Sequence, residues 1–394
     1  MKYCVLIIDG AAGWPLSDHG GKTCLELAHT PNLDAMAKEG VLGLARTIPQ
    51  GMEPSSACAS MSILGYDPKV YYQGRSAIEA RSMSIPIQDG EAVFRCNLVA
   101  IRDGKMWSYS SGHINTSEAQ ELIAALNKSL GSDKVHFYPG VNYRHICKIK
   151  GHEDALLATC TPPHDIPGKP INEFLPYGPG SDLLRDLMAR SEIMLRTHPV
   201  NVVRKARGDI PATMVWLIWG SGKIPDMPVF KQLYGLDAAL TSGVDLLRGL
   251  ARIMEMEVLN IPGVTDNLDN DYAAQAAGAL ESLKGHDMVI IHVEAPDEAA
   301  HAGSIDDKIE AIHKVDIEIV SQLRSWDKDP LRVLIMPDHA TPIKVQTHVA
   351  EPVPFMLCGA GFIPNGAKRF TEAEAKGTGF LIEEGCKIME RLIK

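Results

Sequence analysis

MVIIHVEAPDEAAHAGS, residues 288–304, opens with β-branched and long apolar residues and then changes character at Glu294. Asp297 and His301 follow, four apart. A short apolar run bounded by polar residues reads as a buried strand, and the segment after it reads as a helical turn. The same texture recurs in YCVLIID (3–9), MVWLIWG (214–220), RVLIMPD (332–338) and VPFMLCG (353–359), with helical segments between. Five such runs predict buried parallel strands in an α/β domain. The intervening helices are punctuated. TPNLDAMAKEG (30–40) offers Thr30 as N-cap, Pro31 at the first helical position and Gly40 as the stop, and the segment 304–326 offers Ser304 as cap, with Asp306 and Asp307 in its first turn.

Ligands of open parallel sheets gather at the carboxyl ends of strands. Asp9 ends the first run, Glu294 with Asp297 follows another, and Asp338 and His339 end a third. On a helical turn, the spacing of Asp297 and His301 puts both side chains on one face, where they suit either a shared metal ion or an ordinary solvated Asp–His pair. His348 stands just before the run 353–359. Three aspartates and three histidines at strand ends, without thiolate, suit Mn²⁺, Zn²⁺ or Fe²⁺. Six ligands exceed what one catalytic ion with an open position takes, so two ions are the economical reading. A two-metal site can polarise a phosphoryl group and activate a hydroxyl nucleophile.

The whole-chain properties are compatible with this. The 394 residues are 45% apolar and 22% charged, which describes a globular chain, and no apolar run approaches the ~20 residues of a membrane span. The short N-terminal run ends in Asp9 and reads as a strand rather than a signal peptide. A formal charge of −10 argues against nucleic acid as partner. Eight scattered cysteines without a C-x-x-C pair suggest neither disulfide framework nor zinc ribbon, and point to a reducing, cytoplasmic compartment. Between about 90 and 205 the texture shifts to FRCNLVAI, a helix from about Ser117 to Leu130, KVHFYPG, HICKIK and the Pro-rich stretch 161–180. This predicts a core of 1–89 and 205–394, interrupted by a smaller α+β domain over 90–204.

The pieces LIIDGAAG, TPNLDAMAKEG, LGYDPKVYYQGRSAIEA, FRCNLVAI, SSGHI, FYPGVNYRH, HVEAPDEAAHAG, PDHATPI and THVAEPVPF cover most of the chain. Together they resemble the alkaline phosphatase superfamily and, within it, the cofactor-independent phosphoglycerate mutases of archaeal type. That resemblance implies an alkaline-phosphatase-like core with a mainly parallel sheet flanked by helices, and an inserted substrate-binding or lid domain. It implies that Asp9, Ser56, Asp338 and His339 hold one ion and Asp297, His301 and His348 the other, with Mn²⁺ the usual metal and Zn²⁺, Fe²⁺ or Mg²⁺ as alternatives. Ser56, in PSSACAS (54–60), would be the nucleophile that carries phosphate between the two hydroxyls of phosphoglycerate, an isomerase reaction of glycolysis. Ser56 follows Pro54 and precedes an apolar-patterned segment, so it is also placed at a helix N-terminus, which favours phosphate but equally suits a capping serine. Arg95, His113 and Arg144 lie in family-like segments of the inserted domain and are substrate-binding candidates, joined by His164, Arg204 and Arg207.

Two departures stand out. The family reads Pro-Gly-Ser-Asp at the nucleophile, whereas this chain has Pro54-Ser55-Ser56-Ala57, and Gln275 replaces a lysine. These leave several readings open: a mutase, a homoserine-kinase-like phosphotransferase of the same family, a plain phosphatase, or a non-catalytic protein that binds a phosphorylated metabolite. The expected partner is a small phosphorylated metabolite, with no nucleic acid and no membrane; no oligomeric state is specified.

Overall fold

The computed structural model describes residues 1–394. They form two compact units, Met1–Tyr72 with Asp226–Lys394, and Gln73–Pro225. Thirteen strands are numbered in chain order.

The first unit is built on an eight-stranded sheet in the order β13 (Leu381–Ile382), β2 (Val41–Ala45), β12 (Val353–Gly359), β11 (Leu331–Met336), β1 (Lys2–Ile8), β10 (Met288–Val293), β8 (Ala238–Thr241) and β9 (Glu257–Val258). β1 lies at the centre, paired in parallel with β10 and β11. Its last six residues are buried on both faces, which is why YCVLIID reads as a continuous apolar run rather than an alternating one. Helices cover the sheet. Leu33, Met36 and Ala37 of the helix Pro31–Glu39 and Ala311, Ile312 and Val315 of the long segment beginning at Ile305 pack against Cys4, Leu6 and Ile8. The expected mainly parallel sheet flanked by helices is therefore present.

Two of the five apolar runs take other roles. The run 353–359 becomes β12, antiparallel to both β11 and β2. It returns directly from the loop that leaves β11, with no crossover helix to reverse the chain, so it cannot run parallel. The run 214–220 lies outside this sheet altogether. It forms β7 (Met214–Ser221) and pairs antiparallel with the twelve-residue strand β3 (Glu91–Arg102) in the second unit.

That second unit has an antiparallel sheet in which β3 also pairs with β6 (Arg144–Lys150) and β4 (Lys105–Ser108), and β6 with β5 (Val135–Tyr138). Helices Thr116–Leu130 and Ser181–Leu195 cover one face with Leu122, Leu126, Leu184 and Leu187. Ala77 and Ala80 of the helix Arg75–Ser82 pack on the opposite face against Val93 and Ile146. The unit is thus wider than 90–204, because β7 and the helix Arg75–Ser82 belong to its sheet.

Helix punctuation shows which caps the sequence reveals. Ser304 accepts a hydrogen bond from the Asp307 N–H at 3.3 Å, as expected. Thr30 does not cap its helix, and its buried Oγ1 has no partner. The fully buried Asp316 does this instead, from 283 residues away: its carboxylate accepts from the backbone N–H of Leu33 at 2.7 Å and of Asn32 at 3.2 Å. A helix N-terminus satisfied by a buried carboxylate gains both hydrogen bonds and dipole compensation. Asp316→Ala should therefore cost about 2–3 kcal/mol in denaturant unfolding, and Thr30→Ala less than about 1 kcal/mol. Equal effects would show that Asp316 is not the cap.

Candidate active site

The loops leaving β1, β10 and β11 converge at one edge of the first sheet. Asp9 follows β1, and its N–H still donates to the Val293 carbonyl at 2.9 Å. Gly10 then turns with φ +60°, and a Cβ there would stand 2.3 Å from Asp297 Oδ1. Glycine is required on both counts. The Gly10 N–H donates to Asp338 Oδ1 at 3.1 Å and the His339 N–H to the same oxygen at 2.7 Å, so backbone fixes Asp338 and leaves its other oxygen inward. His348 reaches this edge because β12 is reversed and so begins where the parallel strands end.

The six expected side chains fall into two adjacent groups, each with ligand atoms within 4.8 Å of one another. Asp297, His301 and His348 form the first: Asp297 Oδ2 lies 3.0 Å from His301 Nε2 and 3.5 Å from His348 Nε2. Asp9, Asp338 and His339 form the second, with His339 Nε2 at 3.6 Å from Asp9 Oδ1 and 3.3 Å from Asp338 Oδ2. The His339 and His348 rings stack at 3.9 Å between centroids, which puts the groups side by side.

Charge and hydrogen bonding in these groups suit cations. Asp9, Asp297 and Asp338 are fully buried, and Asp9 Oδ1 and Asp338 Oδ2 have no hydrogen-bond partner. Burial, and then the neighbouring Asp338 and Asp297, push the Asp9 carboxyl well above the usual range. Burial raises Asp297 too, but hydrogen bonds from His301 and His348 outweigh it and hold that carboxyl well below its ordinary value. The Asp297 hydrogen bond in turn lifts His301 to about 9 against the effect of burial. His301 Nδ1 donates to the Gln346 carbonyl at 2.9 Å, so its Nε2 faces the group, 2.9 Å from His348 Nε2. A carbonyl that fixes the outer nitrogen and leaves the inner one free is the usual support of a metal-binding imidazole. Oxygen and nitrogen donors around orphaned carboxylate oxygens fit divalent cations.

Ser56 opens the helix Ser56–Ile63 and its Oγ lies 3.2 Å from His339 Nε2, beside the second group. The N-cap is Ser55, which accepts from the Cys58 N–H, so capping falls to the neighbour and not to Ser56. A chain of hydrogen bonds sets the direction of the Ser56 contact. The Thr341 hydroxyl donates its one proton to Asp297 Oδ1, and therefore accepts from His339 Nδ1–H at 3.2 Å. His339 Nε2 is then an acceptor, burial holds the ring neutral by pulling it down to about 4, and Ser56 O–H donates to it.

Several residues of this site are not among the expected ligands. His292 lies inside β10 and its Nε2 is 2.8 Å from Asp9 Oδ2. Its Nδ1 meets the Ser242 hydroxyl at 3.0 Å, and that oxygen also accepts from the Val244 N–H, which holds the ring in place. His292 thus orients Asp9. Glu294, visible at a strand end, has an unpartnered Oε2 3.6 Å from His292 Nε2, and burial followed by Asp9 raises its carboxyl well above normal. Lys308, fully buried, donates to the carbonyls of Ala12 at 3.1 Å and Thr341 at 2.8 Å and ties two of the loops together. Only its lysine-in-a-helix context is legible from sequence. The departures are also accounted for locally. Ala57 is fully buried, and Gln275 donates to the His292 carbonyl at 3.0 Å while accepting from Asn270 at 2.9 Å, a neutral brace where a lysine stands in the family pattern.

Among known proteins, the family model described as 2,3-bisphosphoglycerate-independent phosphoglycerate mutase matches residues 37–201. A protein of that name from Methanothrix thermoacetophila is 44% identical over 396 residues, covering 100% of both chains. The chain belongs to that family. A second mutase of the family, from Methanosarcina barkeri, is 44% identical over 398 residues with the same full coverage. Among solved structures, the PH0037 protein from Pyrococcus horikoshii superposes with TM-score 0.83 at 26% identity, covering 100% of this chain and 96% of that one. The cofactor-independent phosphoglycerate mutase from Thermoplasma acidophilum gives 0.65 at 26% identity, covering 100% and 99%.

Within the second unit the substrate-binding candidates separate. Arg95 is buried on β3 and pairs with Glu79, and Arg144 projects from the same face of the sheet, opposite Asn97. His113 is exposed near the Tyr143 ring, and His164 lies near Tyr109 and Trp219. Arg204 does not belong with them. Its guanidinium pairs with Glu118 and donates to the carbonyls of Ser111 and Ile210, each at 2.8 Å, which makes it an internal brace. Arg207 shares Glu118 and pairs with Asp209 at the surface.

The electrostatics predict a pH response of metal-free protein. His301, Asp9 and Glu294 have folded values raised above their unfolded ones, so each contributes stability at low pH that is lost as pH rises through its folded value. For His301 this window runs from about 6.5 to about 9. Chelator-treated protein should show a falling urea midpoint across that window, and added divalent metal, which takes the place of the protons, should flatten the decline. A midpoint that rises with pH in the chelated protein would contradict this electrostatic description.

Proposed function

We propose that this chain interconverts 3-phosphoglycerate and 2-phosphoglycerate through a phosphoserine formed at Ser56. The observation that carries this reading is the contact of Ser56 Oγ with His339 Nε2, inside the group that also contains Asp9 and Asp338. The family to which the chain belongs supplies the reaction class. The homoserine-kinase-like and non-catalytic alternatives find no support among these relatives.

Asp297, His301 and His348 would hold one divalent ion and Asp9, Ser56, Asp338 and His339 a second, with Mn²⁺ the first choice for such donors. Bound there, the ions would withdraw charge from phosphoryl oxygens and lower the pKa of a hydroxyl. The chain's own residues supply orientation. Thr341 fixes the His339 tautomer, His292 fixes Asp9, and the Gly10 and His339 amides fix Asp338. In the forward half, Ser56 Oγ bonds to phosphorus as the substrate's C–O–P bond breaks at the P–O side, and the serine proton passes to the departing alkoxide. In the return half, the other hydroxyl of the glycerate takes the phosphoryl group and restores Ser56–OH. No water is consumed, and the sum is an isomerisation. The position of Ser56 in a first helical turn favours the added negative charge. Arg95, His113 and Arg144 are proposed to bind the substrate's acidic groups in the second unit. The reading proposed is of a cytoplasmic protein that acts on a small phosphorylated metabolite.

Incubating metal-loaded protein with 3-phosphoglycerate should yield a phosphorylated peptide containing Ser56 by mass spectrometry. Ser56→Ala should lower turnover by on the order of 10³-fold or more. Undiminished turnover in that variant would remove Ser56 as the carrier.

A further inference from the structure

The two Asp–His groups of the first unit meet at one hydroxyl. Thr341, two residues beyond His339, is fully buried, and each of its polar atoms is engaged. Its N–H donates to the Ala12 carbonyl at 3.0 Å and its own carbonyl accepts from Lys308 Nζ at 2.8 Å, so the backbone is pinned on both sides. A β-branched side chain on a pinned backbone has little rotamer freedom, and the hydroxyl oxygen is held in one place. It donates its single proton to Asp297 Oδ1 and accepts from His339 Nδ1–H at 3.2 Å.

Those two partners belong to different groups. Asp297 keeps its other oxygen, Oδ2, toward His301 and His348. His339 keeps Nε2 toward Asp9, Asp338 and Ser56. Each ligand thus turns its inner atom to its own group and its outer atom to the same hydroxyl. Outer partners of this kind fix a ligand's tautomer and orientation, and losing one typically costs about 10- to 100-fold in metal affinity.

His339 also has a competing arrangement. With its proton on Nε2, the ring would face Asp338 Oδ2 at 3.3 Å and Asp9 Oδ1 at 3.6 Å, two oxygens without a hydrogen-bond partner. That tautomer closes Nε2 to an ion. The Thr341 hydroxyl opposes it only while Asp297 takes its proton; a hydroxyl without that acceptor can donate to Nδ1 instead and so select the closed form.

We propose that Thr341 is a positioning residue that couples the two groups: with Asp297 fixed as acceptor of its proton, the hydroxyl receives His339 Nδ1–H, which opens Nε2 to an ion and to Ser56. Filling the group of Asp297, His301 and His348 holds that carboxylate in place, and thereby raises the affinity of the group of Asp9, Asp338 and His339. This rests on the reading that each group takes a divalent ion.

The test is a cycle of four full-length proteins, wild type, His301→Ala, Thr341→Val and the double variant. Calorimetry gives the Mn²⁺ affinity of the second group, whose binding step is the one that Asp338→Asn removes. His301 is chosen because His348 also stacks on His339. Repulsion between the two ions is common to both backgrounds and cancels. Replacing His301 should weaken the second group about fivefold more with Thr341 present than in Thr341→Val, the low end of measured couplings because one hydroxyl carries it. Thr341→Ser should keep that difference. Should Thr341→Val not fold, ¹⁵N NMR of chelator-treated protein decides: the His339 proton should sit on Nδ1 in wild type and shift toward Nε2 in Asp297→Ala. Equal losses in both backgrounds, or the same His339 tautomer in both proteins, would overturn the coupling alone. Wild type that takes up no Mn²⁺ would contradict the two-ion reading and the coupling together.

Discussion

Three fully buried aspartates at one edge of a sheet, with Glu294 beside them and orphaned oxygens on Asp9, Asp338 and Glu294, set the terms for the rest of the first unit. Buried carboxylates of one sign repel and are poorly solvated, so they persist only where cations or protons balance them. Lys308 is the amine nearby, engaged with backbone carbonyls, and burial lowers its pKa. The pairing of Asp297 with His301 and His348, and the raised Asp9 and Glu294 carboxyls, are what this arrangement does with protons alone. Divalent ions would satisfy the same oxygens more completely.

Several otherwise separate features follow from bringing those carboxylates together. Gly10 is needed because any side chain there would meet Asp297. The buried Lys308 joins the loops after β1 and β11, which the bond from the Thr341 N–H to the Ala12 carbonyl also links. The reversal of β12 is what places His348 at the edge where the parallel strands end. Seven residues of strand span about 23 Å, so a parallel β12 would have put its preceding residue at the far edge of the sheet.

Much of this was legible because strand ends are where an α/β sheet exposes chemistry, and because acid and imidazole residues stand out against apolar runs. Asp9, Asp297, His301, Asp338, His339 and His348 were visible on that ground, and the expected groups match those that assemble. His292 was hidden by lying inside an apolar strand, where a lone histidine carries no spacing signal. Thr341 and Lys308 act through hydrogen bonds that depend on loops far apart in sequence. Arg204 was misread for the opposite reason: sequence shows a cation but not the buried Glu118 and carbonyls that engage it. The same blindness to distant partners explains why Thr30 looked like a cap when Asp316 is one, and why the run 214–220 looked like a core strand when its partner is β3.

The central claim is that the two Asp–His groups exist to hold divalent cations, one in each. Metal content after reconstitution with Mn²⁺ and removal of free ion, read by elemental mass spectrometry, tests it most directly. The account predicts about two ions per chain, falling to about one when His348 is replaced by alanine. No retained metal, or content unchanged by replacing both Asp297 and Asp338, would contradict it.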